Sequence, residues 1–101
     1  MNRMEPNDRR NQILDAAIVL SINIGYKCIT RDAVAEVAGI SSSLIANYFP
    51  RMVDLKKAVM EAAIEERKLE IIAQGLSISD PLALEISEEL KKKVLKYLSL
   101  K

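Results

Sequence analysis

The sequence predicts an all-α protein: a three-helix unit ending in a helix-turn-helix, followed by two longer helices. Three observations carry that expectation. Apolar residues recur at helical spacing, as in Ile13, Ala17, Leu20 and Ile24, with Leu14 and Ile18 widening the stripe. Half of the residues are hydrophobic but only 4% are aromatic, and this Ile, Leu, Val and Ala content suits helices packed on helices. Breakers are few, with three Gly and three Pro in 101 residues.

Residues 1–7 read as a loose, partly charged arm, and the first helix is expected over 8–24, closed by Gly25. Thr30 is the natural N-cap of a second helix over 31–38, with Asp32 in its positive first turn. Val34, Val37 and Ala38 give it a small apolar face, and Gly39 supplies a left-handed C-terminal residue. Ile40 fills the corner, and Ser41 caps a third helix over 42–49. Ile45 and Phe49, four apart, point inward there, which leaves Ser42, Ser43, Ala46 and Asn47 outward. Pro50 breaks the chain, and the apolar spacing predicts a fourth helix over 53–74 that stops at Gly75. After a linker over 76–79, Asp80-Pro81 opens a fifth helix that runs to Leu98. Its acids lie early and its lysines late, as the helix dipole favours. Two regions follow, 1–50 as the helix-turn-helix domain and 51–101 as a two-helix region packed on it.

Composition removes whole classes of function. The chain has no histidine, a single cysteine and no glycine-rich phosphate loop, so no catalytic constellation, metal site or cofactor is expected. Ser41-Ser42-Ser43 has no base to activate a nucleophile. No apolar run approaches the roughly 18 residues of a membrane span, and the start lacks the apolar core of a signal peptide. Cys28 reads as a small packing residue in a reduced, cytoplasmic setting. The net charge is only +1, distributed as eight Lys/Arg against six Asp/Glu through Met60 and seven against eight beyond it. That asymmetry agrees with a nucleic-acid partner without itself pointing to one.

On spacing alone, residues 30–49 fit a groove-reading helix-turn-helix or an ordinary helical hairpin. An ordered set of residues adds to this. Gly25-Tyr26 ends an apolar helix; Thr30, Val34-Ala35, Ala38-Gly39-Ile40-Ser41, Leu44-Ile45 and Tyr48-Phe49-Pro50 follow; and a further helix opens near Asp54-Leu55. From Arg10 to about Ala63 the chain resembles the N-terminal domain of the tetracycline-repressor (TetR/AcrR) family of bacterial transcriptional regulators. The resemblance implies a DNA-binding repressor on the bacterial nucleoid, with double-stranded DNA as partner.

Carried over position by position, it implicates Thr30, Arg31, Ser41, Ser42, Ser43, Ala46, Asn47 and Tyr48 in DNA contact. The family often has aromatics where Ala46 and Asn47 stand, His at Tyr48 and Thr at Leu44, so the detailed contacts differ. Asn47 can hydrogen-bond adenine in two places, while Ala46 can only pack. The family's phosphate-binding Lys falls on Met52, leaving Arg51, Lys56 or Lys57 to replace it. Arg9 and Arg10 suit a phosphate or the minor groove as well as simple solvation, and Lys91-Lys92-Lys93 reads as a solvated face rather than a second DNA contact.

Only about 50 residues follow Pro50, where the family carries a long helical domain with an inducer pocket. Two helices cannot enclose such a pocket, so no small-molecule ligand is expected. The row Leu82, Ile86, Leu90, Val94 and Leu98 exceeds what the fourth helix alone can cover, and is read as the seam of a homodimer. The expected protein is thus a short homodimeric repressor on an inverted-repeat operator, complete or cut from a longer regulator. The alternative is a DNA-organising or protein-adaptor module on the same fold.

Overall fold

The computed structural model describes residues 6–100, with side chains from Asp8 onward. The described residues are helical with no strand. The loose arm expected at the N-terminus lies outside them, apart from the backbone of residues 6 and 7, which already belongs to the first helix.

Helix α1 (Pro6–Ile24) buries Ile13, Leu14, Ala17, Ile18 and Leu20, as its periodicity requires. Ile24 at its end is instead half exposed, and Ser21 is fully buried. The Ser21 hydroxyl is satisfied internally, donating to the Ala17 carbonyl at 2.7 Å. A short 3-10 turn, Tyr26–Cys28, sends the Tyr26 ring inward and leaves Cys28 exposed, so Cys28 is not a packing residue.

Helices α2 (Arg31–Ala38) and α3 (Ser42–Tyr48) follow. The Thr30 hydroxyl accepts from the Ala33 N–H at 3.2 Å, and the Ser41 hydroxyl accepts from the Leu44 N–H at 3.1 Å. Gly39 has φ 73° and ψ 32°. Its N–H donates to the Glu36 carbonyl and the Ile40 N–H to the Ala35 carbonyl, the paired bonds of a Schellman turn. Gln12 adds a bond from α1, its amide donating to the Ala38 carbonyl at 3.0 Å.

Beyond Pro50 the chain folds differently from the two long helices expected. Four helices are present: α4 (Met52–Glu65), α5 (Leu69–Ser77), α6 (Pro81–Leu84) and α7 (Glu88–Ser99). The fourth predicted helix breaks at Arg67, which sits in the left-handed region at φ 56° while the Lys68 N–H closes onto the Ala63 carbonyl at 2.8 Å. Glu65 and Glu66 lie at the negative end of α4, where acids weaken a helix. Folding back buries Ile71, Ile72 and Ala73 against α4, a gain a straight helix would forgo. Gly75 does not stop a helix. It lies inside α5, where a Cβ would fall 3.0 Å from the Ala83 Cβ and closer still to the Met60 side chain.

The fifth predicted helix also divides. Asp80 does cap it, accepting from the Leu82 and Ala83 N–H groups at 3.0 and 3.3 Å. After one turn the chain restarts at Ser87, whose hydroxyl accepts from the Leu90 N–H at 3.2 Å, with Glu88 and Glu89 in the new first turn.

These breaks overturn the reading of the apolar row as an uncovered stripe. Ile86, Leu90 and Val94 are buried within one chain, Leu82 is half-buried, and Leu98 at 46% is the exposed member. The cover is α5, which packs on α7 and exists because the fourth helix broke. One apolar cluster runs from Ile13 through Val34, Ile45, Leu55 and Ile72 to Val94, taking residues from both sides of Pro50.

Candidate nucleic-acid interface

The helix pair is built so that one side is core and the other is small and polar. Val34, Ala35, Ile45 and Phe49 are buried beneath it, with α2 packed on α1 and α3 packed on α2. On the opposite side Thr30, Asp32, Ser41, Ser43 and Asn47 are exposed, and Ser42, Ala46 and Tyr48 are half-buried. Ser43 and Asn47 are one turn apart and share a face of α3. An open groove of ≈370 Å³ lies between the starts of the two helices, lined by Thr30, Arg31, Asp32, Ser42, Ser43 and Ala46.

The structure therefore brings Thr30, Arg31, Ser42, Ser43 and Ala46 around one groove and leaves Asn47 open beside it. It gives several of them internal duties. Thr30 and Ser41 hold helix N-termini. Tyr48 packs against the core. Ser42 donates to Asp32 Oδ1 at 2.5 Å, so its hydroxyl is turned toward α2 rather than outward. Arg31 reaches back, its Nη2 donating to the Pro50 carbonyl at 2.8 Å, while its buried Nε has no partner among the described residues.

Of the three basic residues expected to meet a phosphate, Arg51 and Lys56 are engaged within the protein. Arg51 grips Asp54 in two places, Nε to Oδ2 at 3.1 Å and Nη2 to Oδ1 at 2.9 Å. Asp54 also accepts the Arg51 backbone N–H at 3.1 Å, the reach-back half of a capping box at the start of α4. The side-chain hydrogen bond holds the Asp54 carboxyl below its ordinary range and raises the Arg51 guanidinium above its own. Lys56 Nζ donates to the Lys27 carbonyl at 3.2 Å, and Lys57 is exposed. On α1, Arg10 lies over the Phe49 ring at 5.2 Å while itself exposed, and Arg9 donates to Gln12 at 2.9 Å.

Two contributors went unread in the sequence. Asp32, whose sequence position signals only a charge in a first turn, joins α2 to α3; nothing local in the sequence signals a bond across ten residues. Tyr26 does more than pack. Its O–H faces two acceptors, the Lys56 carbonyl at 2.9 Å and Asp80 Oδ2 at 3.2 Å, and its backbone N–H donates to Gln74 Oε1. The segment leading into α2 is thus clamped by α4, α5 and the cap of α6.

The chain is similar to a helix-turn-helix transcription regulator. The HTH-type transcriptional activator FasR of Mycolicibacterium smegmatis is 30% identical over 64 residues, which are 63% of this chain and 29% of FasR. The likeness therefore spans less than a third of that protein's length. No family profile and no solved structure matches the chain. Among the described residues no helix is long and apolar enough to cross a membrane, and no group of His, Cys, Asp and Glu is placed to hold a metal.

Proposed function

We propose that this chain is a sequence-specific DNA-binding transcription regulator of the TetR/AcrR kind, with α3 as the helix that enters the major groove. The observation that carries this reading is the outward side of α2 and α3, where small and hydrogen-bonding side chains allow close approach to base edges. The likeness to a helix-turn-helix activator supports the same class. Ser43 and Asn47 are the base readers in this scheme, with Thr30, Arg31, Ser41 and Ala46 around them. Arg51 and Lys56 meet phosphates only by giving up Asp54 and the Lys27 carbonyl, so Lys57 is the cation most ready to do so.

Two copies spaced about 34–36 Å apart on an inverted repeat would double a small contact area. With Ile86, Leu90 and Val94 buried, the surface left to join them is the outer side of α7 at Leu95, Leu98 and Leu100. A regulator seated over the polymerase site excludes the polymerase, and repression is the sign this reading expects. Transcription from a promoter carrying the selected site separates repression from activation.

Selection of binding sites from random duplexes tests the whole reading. One short preferred sequence is the expected result, and Asn47→Ala should then cost about 1–3 kcal/mol on that site while relaxing one base pair. Binding that is equal on all DNA and collapses with salt would instead mark a DNA-organising module.

A further inference from the structure

The Ser42–Asp32 bond leaves a carboxylate standing on the surface that is proposed to meet DNA. The bond ties the first turn of α2 to the first turn of α3 and occupies Oδ1. Oδ2 accepts no hydrogen bond from the described residues, and no Lys or Arg among them pairs with Asp32. The side chain is exposed in the groove lined also by Thr30, Ser43 and Ala46. Neighbouring cations are turned elsewhere, Arg31 to the Pro50 carbonyl and Arg51 to Asp54.

A carboxylate only accepts hydrogen bonds. Phosphates are acceptors too and carry like charge, so Asp32 cannot be a backbone contact. In the major groove the donors are the N4 amino group of cytosine and the N6 amino group of adenine. Adenine sets the N7 acceptor beside its donor, where it would repel a carboxylate, and cytosine does not. Guanine and thymine present no hydrogen-bond donor on that edge. The N-terminal residues of a recognition helix are those that reach base edges, and Asp32 is hydrogen-bonded to the first residue of α3. Its short side chain, held by Ser42, has small neighbours that permit the approach.

We propose that Asp32, positioned by Ser42, reads the amino group of a cytosine in each operator half-site and rejects guanine and thymine there. The proposal rests on the DNA-reading function above and adds a base and a residue to it. It also explains the carboxylate's place, since an acid on this surface weakens every sequence that lacks a donor at that point.

The test uses the full chain. Sites are selected from random duplexes with the wild type, Asp32→Ala, Asp32→Asn and Ser42→Ala, and each variant is titrated on the operator with all four bases at every position. The wild type should prefer cytosine at one position per half-site by roughly tenfold over guanine or thymine. Asp32→Ala should reduce that preference to within about twofold there, leaving other positions unchanged, and bind the guanine and thymine duplexes at least as well as the wild type does. Ser42→Ala should weaken the preference severalfold, because the carboxylate is no longer held. If Asp32→Ala unfolds, Asp32→Asn decides: its amide can donate as well as accept, so adenine should become tolerated at that position. An unchanged base preference in folded Asp32→Ala or Asp32→Asn would overturn the proposal and leave Asp32 as a brace alone. A wild type that selects no sequence would overturn the DNA-reading function itself, a distinct failure.

Discussion

At the scale of single residues, backbone geometry and buried polar groups constrain this protein most sharply. Gly39 is a case of geometry without crowding: nothing lies within 4 Å of where its Cβ would stand, yet its φ is 73°. A β-branched residue there is strained by conformation alone. Gly39→Val should lower stability by about 1–2 kcal/mol, read as a drop in Tm, and Gly39→Asn by much less, because Asn tolerates the left-handed region. Equal melting of the two variants would contradict the turn.

Tyr26 illustrates the polar case. Burial, and then the Asp80 carboxylate facing its hydroxyl, push the phenol well above its ordinary range. The sign follows from linkage. The folded protein holds the phenolic proton more tightly than the unfolded chain does, so this contribution is full below the unfolded value of about 10 and is lost as pH rises past it. Wild-type stability should therefore fall above about pH 10, and Tyr26→Phe should remove that part of the decline. At neutral pH the same variant should cost about 1 kcal/mol for the lost hydroxyl bond. Denaturant melts of both proteins at pH 7 and pH 10.5 are the check.

At the scale of elements, what the sequence made legible depended on whether a signal was local. The caps at Thr30, Ser41 and Asp80, the turn at Gly39 and the stripe on α1 were readable because each is set by residues within one or two turns. The breaks at Arg67 and Ser87 were not, although Ser87-Glu88-Glu89 carries a local start signal that the unbroken spacing of leucines outweighed. At Arg67 no Gly marks the bend; the burial of Ile71 and Ile72 sustains it, and that depends on a partner helix far along the chain. The candidate site divides the same way. Its exposed members, Ser43 and Asn47, follow from helical phase, whereas the engagement of Ser42, Arg31 and Arg51 required knowing what lies opposite them.

Arg67 permits a test whose sign distinguishes the two architectures. In a continuous helix, Arg67→Gly would cost about 1 kcal/mol in propensity. At a left-handed residue it should instead stabilise by about 1 kcal/mol, since only glycine adopts that conformation freely. A rise in Tm supports the bend, and a fall indicates a straight helix.

At the scale of the whole molecule, the burial of the Leu90 and Val94 side chains changes what charge placed there should do. Leu90→Glu with Val94→Glu inserts two acids into the chain's own core, where Val94 is fully buried. Such a chain should lose its cooperative melt and helical circular dichroism rather than separate into folded monomers. Leu95→Glu with Leu98→Glu acts on side chains 63% and 46% exposed and should leave the fold intact. Sedimentation at micromolar concentration then reads the assembly. The wild type should run as a dimer and the Leu95/Leu98 variant as a monomer with much weaker operator binding. A wild-type monomer that still binds an inverted repeat tightly would remove α7 from the assembly.

The clamp on Tyr26 has a consequence for how the molecule opens. The residues just ahead of α2 are held by Gln74 in α5, by the Lys56 carbonyl in α4 and by the cap of α6. Helices α2 and α3 therefore do not hang from a free linker; their entry is tied to the rest of the fold. Amide hydrogens of α2 should exchange with solvent only through openings that also release α5, so the two helices would share one protection free energy and lose it together in denaturant. Cutting the chain after Pro50 would then release not a small stable reader but an unfolded peptide.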